Sequence, residues 1–267
     1  MSKVIGFIGC GNMSKAMVGG IVKSGVIKPE NIIVSDLKQD YLDIVNKEFN
    51  VNTTTDSKEV VKNSDIIVVA VKPNVYDVVL KSVKDLITTD KIIVTIAAGK
   101  TIKSIEDVIG CDKKIVRTMP NTPALVNEGM SGLCKNNNTT DEELECIKTI
   151  FNSFGKAEIV SEYLIDSVIG VSGSAPAYVF MFIEAMADAA VLHGMARDKA
   201  YVFAAQAVMG SAKMVLETKK HPGELKDMVC SPGGTTIEAV KTLEVEGFRA
   251  AIMKAIDDCV EKSKSMI

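Results

Sequence analysis

The sequence predicts an α/β protein in which an N-terminal doubly wound Rossmann-type parallel sheet is followed by an all-α C-terminal domain. Short apolar runs alternate with helical patterns as far as residue 161, which is typical of βαβ units. The first run ends in a glycine-rich turn that opens a helix. Strand patterns stop from Glu162 onward, so the predicted domains are residues 1–161 and 162–267.

Eight short segments are the predicted strands. The fourth, DIIVVAV, is apolar and mostly β-branched after its first residue, as expected for a parallel strand covered on both faces. Ligands of such sheets bind beyond the carboxyl ends of the strands, so the residues after each run are candidates for a site. The predicted strands are residues 4–8, 31–35, 51–53, 65–71, 91–97, 114–118, 131–135 and 157–161.

The turn after the first strand has the composition of a dinucleotide-binding loop. Gly9 makes the turn, Gly11 lets the backbone approach a pyrophosphate, and the amides of the following helix face that anion. Ser14 replaces the third glycine of the GxGxxG fingerprint, so the match is incomplete. An ordinary tight turn is the alternative to a cofactor site.

Two charged residues after the second strand bear on the choice of dinucleotide. Asp36 lies 25 positions beyond Gly11, and a carboxylate there suits the ribose 2′-hydroxyl of NADH. Lys38 could instead attract the 2′-phosphate of NADPH, and both residues could also be solvated residues at a strand end. The residues alone leave this choice open.

The predicted helices of residues 162–267 have more apolar surface than they can bury within one chain. Residues 178–192 are apolar on nearly every face, and Asp198 is the predicted cap of the next helix. Helices that are apolar all round must be buried, and about a hundred residues of helix provide too little covering layer. We therefore interpret residues 162–267 as an all-α dimerisation domain of a homodimer or higher homo-oligomer, with a monomeric bundle as the alternative.

A second glycine-rich loop, SPGGTT at residues 231–236, precedes a helix predicted to begin near Ile237. Its hydroxyl groups, its glycine amides and the helix N-terminus together favour a carboxylate or a phosphate. The alternative is a turn followed by an N-cap, in which Thr235 or Thr236 satisfies the first amides of the helix.

Composition and termini argue against several functional classes. A net charge of −3 lacks the basic footprint of nucleic-acid binding. Six scattered cysteines without a CxxC, beside two histidines, favour free thiols in a reducing compartment over a zinc site. The start MSKVIGF predicts no signal peptide, and glycines and a proline interrupt the uncharged run 167–183, so we expect no membrane span and a cytoplasmic location.

Seven motifs follow one another along the chain. They are IGFIGCGNM from residue 5, AVKP from 70, IAAG from 96, MPNTP from 119, VSGSAPAYVF from 171, HPGELKD from 221 and SPGGTTIEA from 231. In content and order they resemble the motifs of pyrroline-5-carboxylate reductases, and the resemblance covers essentially the whole chain. SPGGTTIEA is the most specific of them.

The resemblance implies an oxidoreductase that reduces the cyclic imine 1-pyrroline-5-carboxylate to L-proline with hydride from NADPH, with NADH possible, in the last step of proline biosynthesis. It implies an active site between the nucleotide domain of one subunit and the helical domain of its partner. The cofactor contacts that it implies, beside Asp36 and Lys38, are Ile8, Gly9, Cys10, Gly11, Asn12, Met13, Ala70, Val71, Lys72, Pro73, Ala97 and Ala98. The implied substrate contacts are Glu162, Ser231, Gly233, Gly234, Thr235 and Thr236, with Thr236 as the catalytic candidate.

Three positions depart from the pattern of that family. Ser14 stands where glycine or alanine is usual, and Ala175 where glycine is usual. Asp36 stands where the family often has a residue suited to NADPH, which keeps the choice between NADPH and NADH open.

Reduction of a C=N bond needs a bound nicotinamide, an anchored carboxylate and one proton, but neither a nucleophile nor a metal. Thr236 could orient the ring nitrogen, and since a threonine hydroxyl is a poor acid, we expect the proton to come from water or from an already protonated imine. Two alternatives remain. A β-hydroxyacid dehydrogenase would need a basic catalytic residue, such as Lys199, Lys213 or Lys226, and a non-catalytic dinucleotide-binding regulator would have no need of a carboxylate cradle.

Overall fold

A computed structural model describes residues 3–266, and in it the chain divides into two compact units. The first unit extends to Ser174 and includes the residues from Cys259 onward, and the second is Ala175–Asp258. The first holds the sheet and the second is helical, so the predicted fold class is confirmed. The predicted domain boundary between residues 161 and 162 stays a prediction.

One eight-stranded sheet is the centre of the first unit. Its strands are β1 Ile5–Ile8, β2 Ile32–Ser35, β3 Asn52–Thr54, β4 Ile66–Val69, β5 Ile92–Thr95, β6 Lys114–Met119, β7 Gly129–Lys135 and β8 Gly155–Ile159. The order is β3-β2-β1-β4-β5-β6-β7-β8, and β1 to β6 are parallel. The chain therefore reverses its direction of winding at β1, as in doubly wound sheets.

The predicted parallel sheet comprises β1 to β6, and the last two strands run in the opposite direction. β7 pairs with β6 in antiparallel fashion, and β8 is parallel to β7. A parallel neighbour requires a crossover of a dozen or more residues, usually a helix. Only a short 3₁₀ turn, Thr122–Val126, lies between β6 and β7, so the chain returns alongside the strand that it has just left.

Helices cover both faces of the sheet. Side chains of β4 alternate between two buried clusters, with Ile66 and Val68 in one and Ile67 and Val69 in the other. A strand buried on both faces reads as a continuous apolar run, which explains the DIIVVAV pattern. The helices of this unit are α1 Asn12–Ser24, α2 Gln39–Phe49, α3 Ser57–Asn63, α4 Pro73–Val83, α5 Ile102–Ile109, α6 Asp141–Phe151 and α7 Ile165–Val168, the last followed by a π-helical turn, Ile169–Gly173.

Two helix starts in the second unit differ from the predictions. Ala196, not Asp198, is the N-cap of the helix Arg197–Thr218 (α9), and Asp198 lies in its first turn, where a carboxylate is also favourable. α11 begins at Thr235, two residues before the predicted start. The helices are α8 Ala175–Leu192, α9 Arg197–Thr218, α10 Pro222–Val229, α11 Thr235–Val245 and α12 Phe248–Lys264, whose last residues belong to the first unit.

Large apolar side chains of the second unit are exposed in the single chain. Phe180 is 64%, Met181 70% and Phe203 66% exposed. Apolar exposure on this scale marks an interaction surface. Within residues 3–266, one helical stretch, Glu162–Leu192, is long and apolar enough to cross a membrane, but an apolar helix of a soluble protein meets the same criterion.

Candidate active site

Neighbouring strands hold the first glycine-rich turn in place. Gly9 has a φ of +106°, and a Cβ on it would lie 2.6 Å from the carbonyl oxygen of Ala70. Its N–H donates to the carbonyl oxygen of Ser35 at 2.8 Å. The backbone conformation and the close approach of the chain after β4 both require glycine here.

Gly11 has different surroundings. It is the N-cap of α1, and a Cβ on it would meet nothing within 4 Å. Among residues 3–266, no side chain caps the first turn of α1, and that turn contains no acidic residue. The start of this helix is therefore open to an anion, and the turn from Gly9 to Met13 fits the pyrophosphate of a dinucleotide.

Ser14 occupies the place of the third fingerprint glycine. Its side chain is 1% exposed, and its hydroxyl has no hydrogen-bond partner among the described residues. The small side chain therefore fits the helix–sheet contact. A buried polar group without a partner costs about 1–3 kcal/mol, so Ser14 lowers the stability of this unit.

Asp36 is fixed beside the glycine-rich turn. Its Oδ2 accepts a hydrogen bond from the N–H of Cys10 at 2.8 Å, and its Oδ1 accepts one from the N–H of Lys38 at 3.0 Å. The ammonium groups of Lys15 and Lys38 lie 5.3 and 5.1 Å from the ring centre of Tyr41. Charges of both signs thus lie near the predicted adenosine ribose, as the pattern of Asp36 and Lys38 suggests.

The other predicted cofactor contacts follow neighbouring strands. β1, β4 and β5 are adjacent and parallel, so Ile8, Ala70 and Ala97 lie at one edge of the sheet. The N–H of Ala70 donates to the carbonyl oxygen of Ile8 at 2.8 Å. The structure therefore brings together at this edge the contact sets Ile8–Met13, Ala70–Pro73 and Ala97–Ala98 with Asp36.

Glu162 forms an ion pair that the sequence did not reveal. Its Oε1 accepts hydrogen bonds from Nη1 of Arg117 at 3.0 Å and from the N–H of Ile102 at 2.8 Å. Arg117 lies on β6 with its side chain 3% exposed, and its Nε and Nη2 have no partner among the described residues. The sequence feature that pointed to this ion pair is the charged residue Arg117 within the predicted strand KIVRT. The predicted contact of Glu162 with substrate stays a prediction.

Asn121 of the MPNTP motif has a structural role. Its side-chain amide donates to the carbonyl oxygen of Ser172 at 3.0 Å, and its Oδ1 accepts from the N–H of Met130 at 2.8 Å. The buried side chain thus joins the loop to β7 and to the π-helical turn.

The second glycine-rich loop is exposed and ends in an uncapped helix. The N–H of Gly234 donates to the carbonyl oxygen of Ser231 at 3.0 Å, and a Cβ on Gly234 would lie 2.3 Å from the Ser231 hydroxyl. Gly234 is the N-cap of α11, with no side-chain cap. The predicted turn from Ser231 to Gly234 is therefore present, whereas the predicted cap by Thr235 or Thr236 is wrong, and the helix start can meet an anion.

Together these features define a class of protein, an oxidoreductase with a Rossmann-type dinucleotide unit and a separate helical unit. Residues 4–99 match the family described as NADP oxidoreductase, coenzyme F420-dependent. Residues 162–266 match the family described as pyrroline-5-carboxylate reductase dimerisation.

Full-length relatives identify the family. The pyrroline-5-carboxylate reductase of Escherichia coli (strain K12) is 54% identical, over 100% of this chain and 99% of its own length. The solved enzyme from Coxiella burnetii superimposes with a TM-score of 0.94 at 35% identity, covering 100% and 99% of the two chains. The enzyme from Plasmodium falciparum, solved with NADP bound, gives 0.90 at 34% identity, covering 99% and 98%. The chain belongs to the pyrroline-5-carboxylate reductase family.

Proposed function

We propose that this protein reduces 1-pyrroline-5-carboxylate to L-proline with NADPH or NADH, as the last step of proline biosynthesis. The observation that carries the proposal is the loop from Ser231 to Thr236. Within six residues it contains three hydroxyl groups and the uncapped N-terminus of α11, a combination that suits a carboxylate. Full-length similarity to named pyrroline-5-carboxylate reductases supports the same reaction.

The first unit has the features of the dinucleotide site. Gly9 to Met13 would hold the pyrophosphate at the start of α1, with Asp36 and Lys38 toward the adenosine ribose. The ends of β4 and β5 would hold the nicotinamide half, through Ala70–Pro73 and Ala97–Ala98. When bound, the reduced nicotinamide supplies a hydride.

The second unit provides the substrate loop. Ser231, Gly233, Gly234 and Thr235 would hold the substrate carboxylate, and the Thr236 hydroxyl would hydrogen-bond the ring nitrogen and orient the imine. One hydride adds to the imine carbon and one proton to the nitrogen. Since the hydroxyl is a poor acid, Thr236 orients the ring while water or prior protonation supplies the proton.

The two alternative functions are not favoured. In a hydroxyacid dehydrogenase a basic side chain takes the alcohol proton, but Lys213 and Lys226 pair with Glu217 and Asp227. In a regulator without turnover, the open start of α11 would have no substrate carboxylate to bind. Neither alternative has a relative of comparable similarity among those described above.

The protein acts as a homo-oligomer, because residues 162–266 match a dimerisation domain and their apolar side chains are exposed in the single chain. We also propose a cytoplasmic location, with residues 1–161 as the nucleotide domain and 162–267 as the substrate and dimerisation domain. Scattered free cysteines support a reducing compartment. Cell fractionation tests the location.

The direct test follows NADPH and NADH oxidation separately in the presence of 1-pyrroline-5-carboxylate, with 3-hydroxy acids and NADP⁺ or NAD⁺ as the competing assay. We expect imine-dependent oxidation of at least one dinucleotide and no hydroxy-acid turnover. Dinucleotide binding without imine turnover would favour the regulator instead. Thr236→Ala should lower turnover or imine affinity, and unchanged values of both would remove the role given to Thr236.

A further inference from the structure

One oxygen of Glu162 links three segments of the first unit. Glu162 begins the short 3₁₀ turn that follows β8, Arg117 lies on β6, and Ile102 is the first residue of α5. Glu162 Oε1 accepts from the Arg117 guanidinium at 3.0 Å and from the Ile102 N–H at 2.8 Å. The carboxylate therefore fixes where α5 begins relative to the sheet.

The ion pair between Arg117 and Glu162 contributes little to the stability of the fold. The Arg117 side chain is buried, yet its Nε and Nη2 have no partner among the described residues. Only the Arg117 end of the pair is buried, since the Glu162 side chain is 36% exposed. Water screens the attraction at the exposed end, and the unpaired buried donors of Arg117 are unfavourable. A need for a particular geometry explains such a pair better than a need for stability.

The segment held in this way is the β5–α5 turn, residues 96–101, which contains the predicted nicotinamide contacts Ala97 and Ala98. A second ion pair anchors the turn near its end. Lys100 Nζ lies 2.8 and 2.9 Å from the two carboxylate oxygens of Asp77 on α4. The turn is thus anchored at Lys100 and, through Ile102, at Glu162, while β5 fixes its start.

Cys134 of β7 is buried and lies opposite Arg117 in the register of β6 and β7. Burial, with a smaller contribution from Glu162 that Arg117 opposes, raises the pKa of the Cys134 thiol to about 12. Cys134 is therefore a neutral thiol near pH 7.

We propose that Arg117 and Glu162 are positioning residues, which hold the β5–α5 turn in the geometry that receives the nicotinamide half of the dinucleotide. The inference rests on the proposed function. Glu162 acts on the turn through its hydrogen bond with the Ile102 N–H, and Arg117 acts by holding the Glu162 carboxylate in place. Lys100 and Asp77 are the second anchor of the same turn.

The test compares the two reduced dinucleotides with ADP-ribose, which has the structure of NADH without the nicotinamide ring. Dissociation constants are measured for NADPH and NADH, from the fluorescence of the reduced ring, and for ADP-ribose by displacement. Glu162→Ala is expected to weaken binding of the reduced dinucleotides about tenfold, while ADP-ribose affinity changes less than about twofold. Glu162→Gln keeps an oxygen acceptor in place and should restore most of the affinity.

Matched variants separate positioning from general stability. Lys103→Ala removes an exposed ion pair with Asp107 on the same helix and should change neither ligand. Asp77→Asn releases the other anchor from a half-exposed site and should repeat the ring-specific loss, even where Glu162→Ala folds poorly. In addition, in both Glu162→Ala and Asp77→Asn, kcat with the imine should fall by a larger factor than the KM for the imine rises.

Two results would overturn the inference. One is unchanged binding of the reduced dinucleotides in both Glu162→Ala and Asp77→Asn. The other is an equal loss of ADP-ribose and dinucleotide binding, which would mean that the pair only stabilises the fold. Failure of the proposed function is a separate result, because the wild-type protein would then bind no dinucleotide or leave the imine unreduced.

Discussion

The two glycine-rich loops share one local design but differ in what supports them. In each, a glycine N-cap precedes a helix whose first turn has no side-chain cap, at Gly11 before α1 and at Gly234 before α11. The first loop is bonded to β2 and packed against the chain after β4. The second is closed by a hydrogen bond within itself, between Gly234 and Ser231.

This difference shows that the surrounding fold determines the geometry of the first loop but not that of the second. The sheet sets the geometry of the turn from Gly9 to Met13, so a substitution in that turn should destabilise the whole first unit. The proposed substrate loop is closed by the hydrogen bond from the Gly234 N–H to the Ser231 carbonyl oxygen, so a change there should stay local. The following substitutions test the contrast.

Gly9→Ala should have the largest effect. The new Cβ would lie 2.6 Å from the Ala70 carbonyl at a φ of +106°, which is strained for alanine. We expect a loss of about 2–4 kcal/mol in the free energy of unfolding and no measurable dinucleotide binding. Thermal melts and fluorescence titration measure both.

Gly11→Ala is the matched control for Gly9→Ala, because its Cβ enters open space at a φ of −77°. It should cost less than about 1 kcal/mol in stability while weakening dinucleotide binding about tenfold. Equal destabilisation by the two substitutions would contradict the contrast between the two glycines.

Gly234→Ala should affect imine binding alone. Its Cβ would lie 2.3 Å from the Ser231 hydroxyl, at the end of a side chain that can rotate away. We expect the KM for the imine to rise about tenfold while the dissociation constant of the dinucleotide stays unchanged. Adding Ser231→Ala should cause little further loss, because the hydroxyl has already been displaced. A full additive loss in the double variant would show that Gly234 acts in another way.

Asp36→Asn should change the choice of dinucleotide. Removing the carboxylate charge beside the ribose is expected to raise the ratio of kcat/KM for NADPH to that for NADH about tenfold. Lys38→Met should lower this ratio. Asp40→Asn removes the same charge from an exposed position in the first turn of α2 and is the control. If neither Asp36→Asn nor Lys38→Met changes this ratio, the adenosine ribose does not lie beside Asp36.

Ser14→Ala should have the smallest effect, a gain in stability. The substitution keeps the Cβ but removes a buried hydroxyl without a partner, so we expect the free energy of unfolding to rise by about 1 kcal/mol. Ser24→Ala, at the other end of α1, removes a hydroxyl that donates to the Ile21 carbonyl oxygen and should not stabilise. Denaturant melts of both variants measure the difference.

Much of the first unit was predictable, because its signals are local. The central strands β1, β2, β4 and β5 are short apolar runs, and a capping box at Thr140 and Glu143 marks the start of α6. The reversed direction of β7 and β8 was missed, since apolar periodicity carries no information on strand direction. The short connection between MPNTP and the next strand could have revealed it.

The site was predictable as separate motifs but not as contacts. The residues from Gly9 to Met13 and Asp36 carry recognisable spacings, and the hydrogen bond between Cys10 and Asp36 follows from strand adjacency. The contact between Arg117 and Glu162 joins residues 45 positions apart through tertiary packing. No local periodicity encodes such a pair, although a charge within an apolar strand was a reason to look for its partner.

Initial rates measured on Gly11→Ala and Ser231→Ala, with imine and dinucleotide varied independently, test most directly whether the two loops bind different ligands. We predict that Gly11→Ala raises the KM for the dinucleotide and leaves that for the imine unchanged, and that Ser231→Ala does the reverse. A rise in both Michaelis constants in each variant, or imine reduction that neither variant affects, would contradict the assignment of one ligand to each loop.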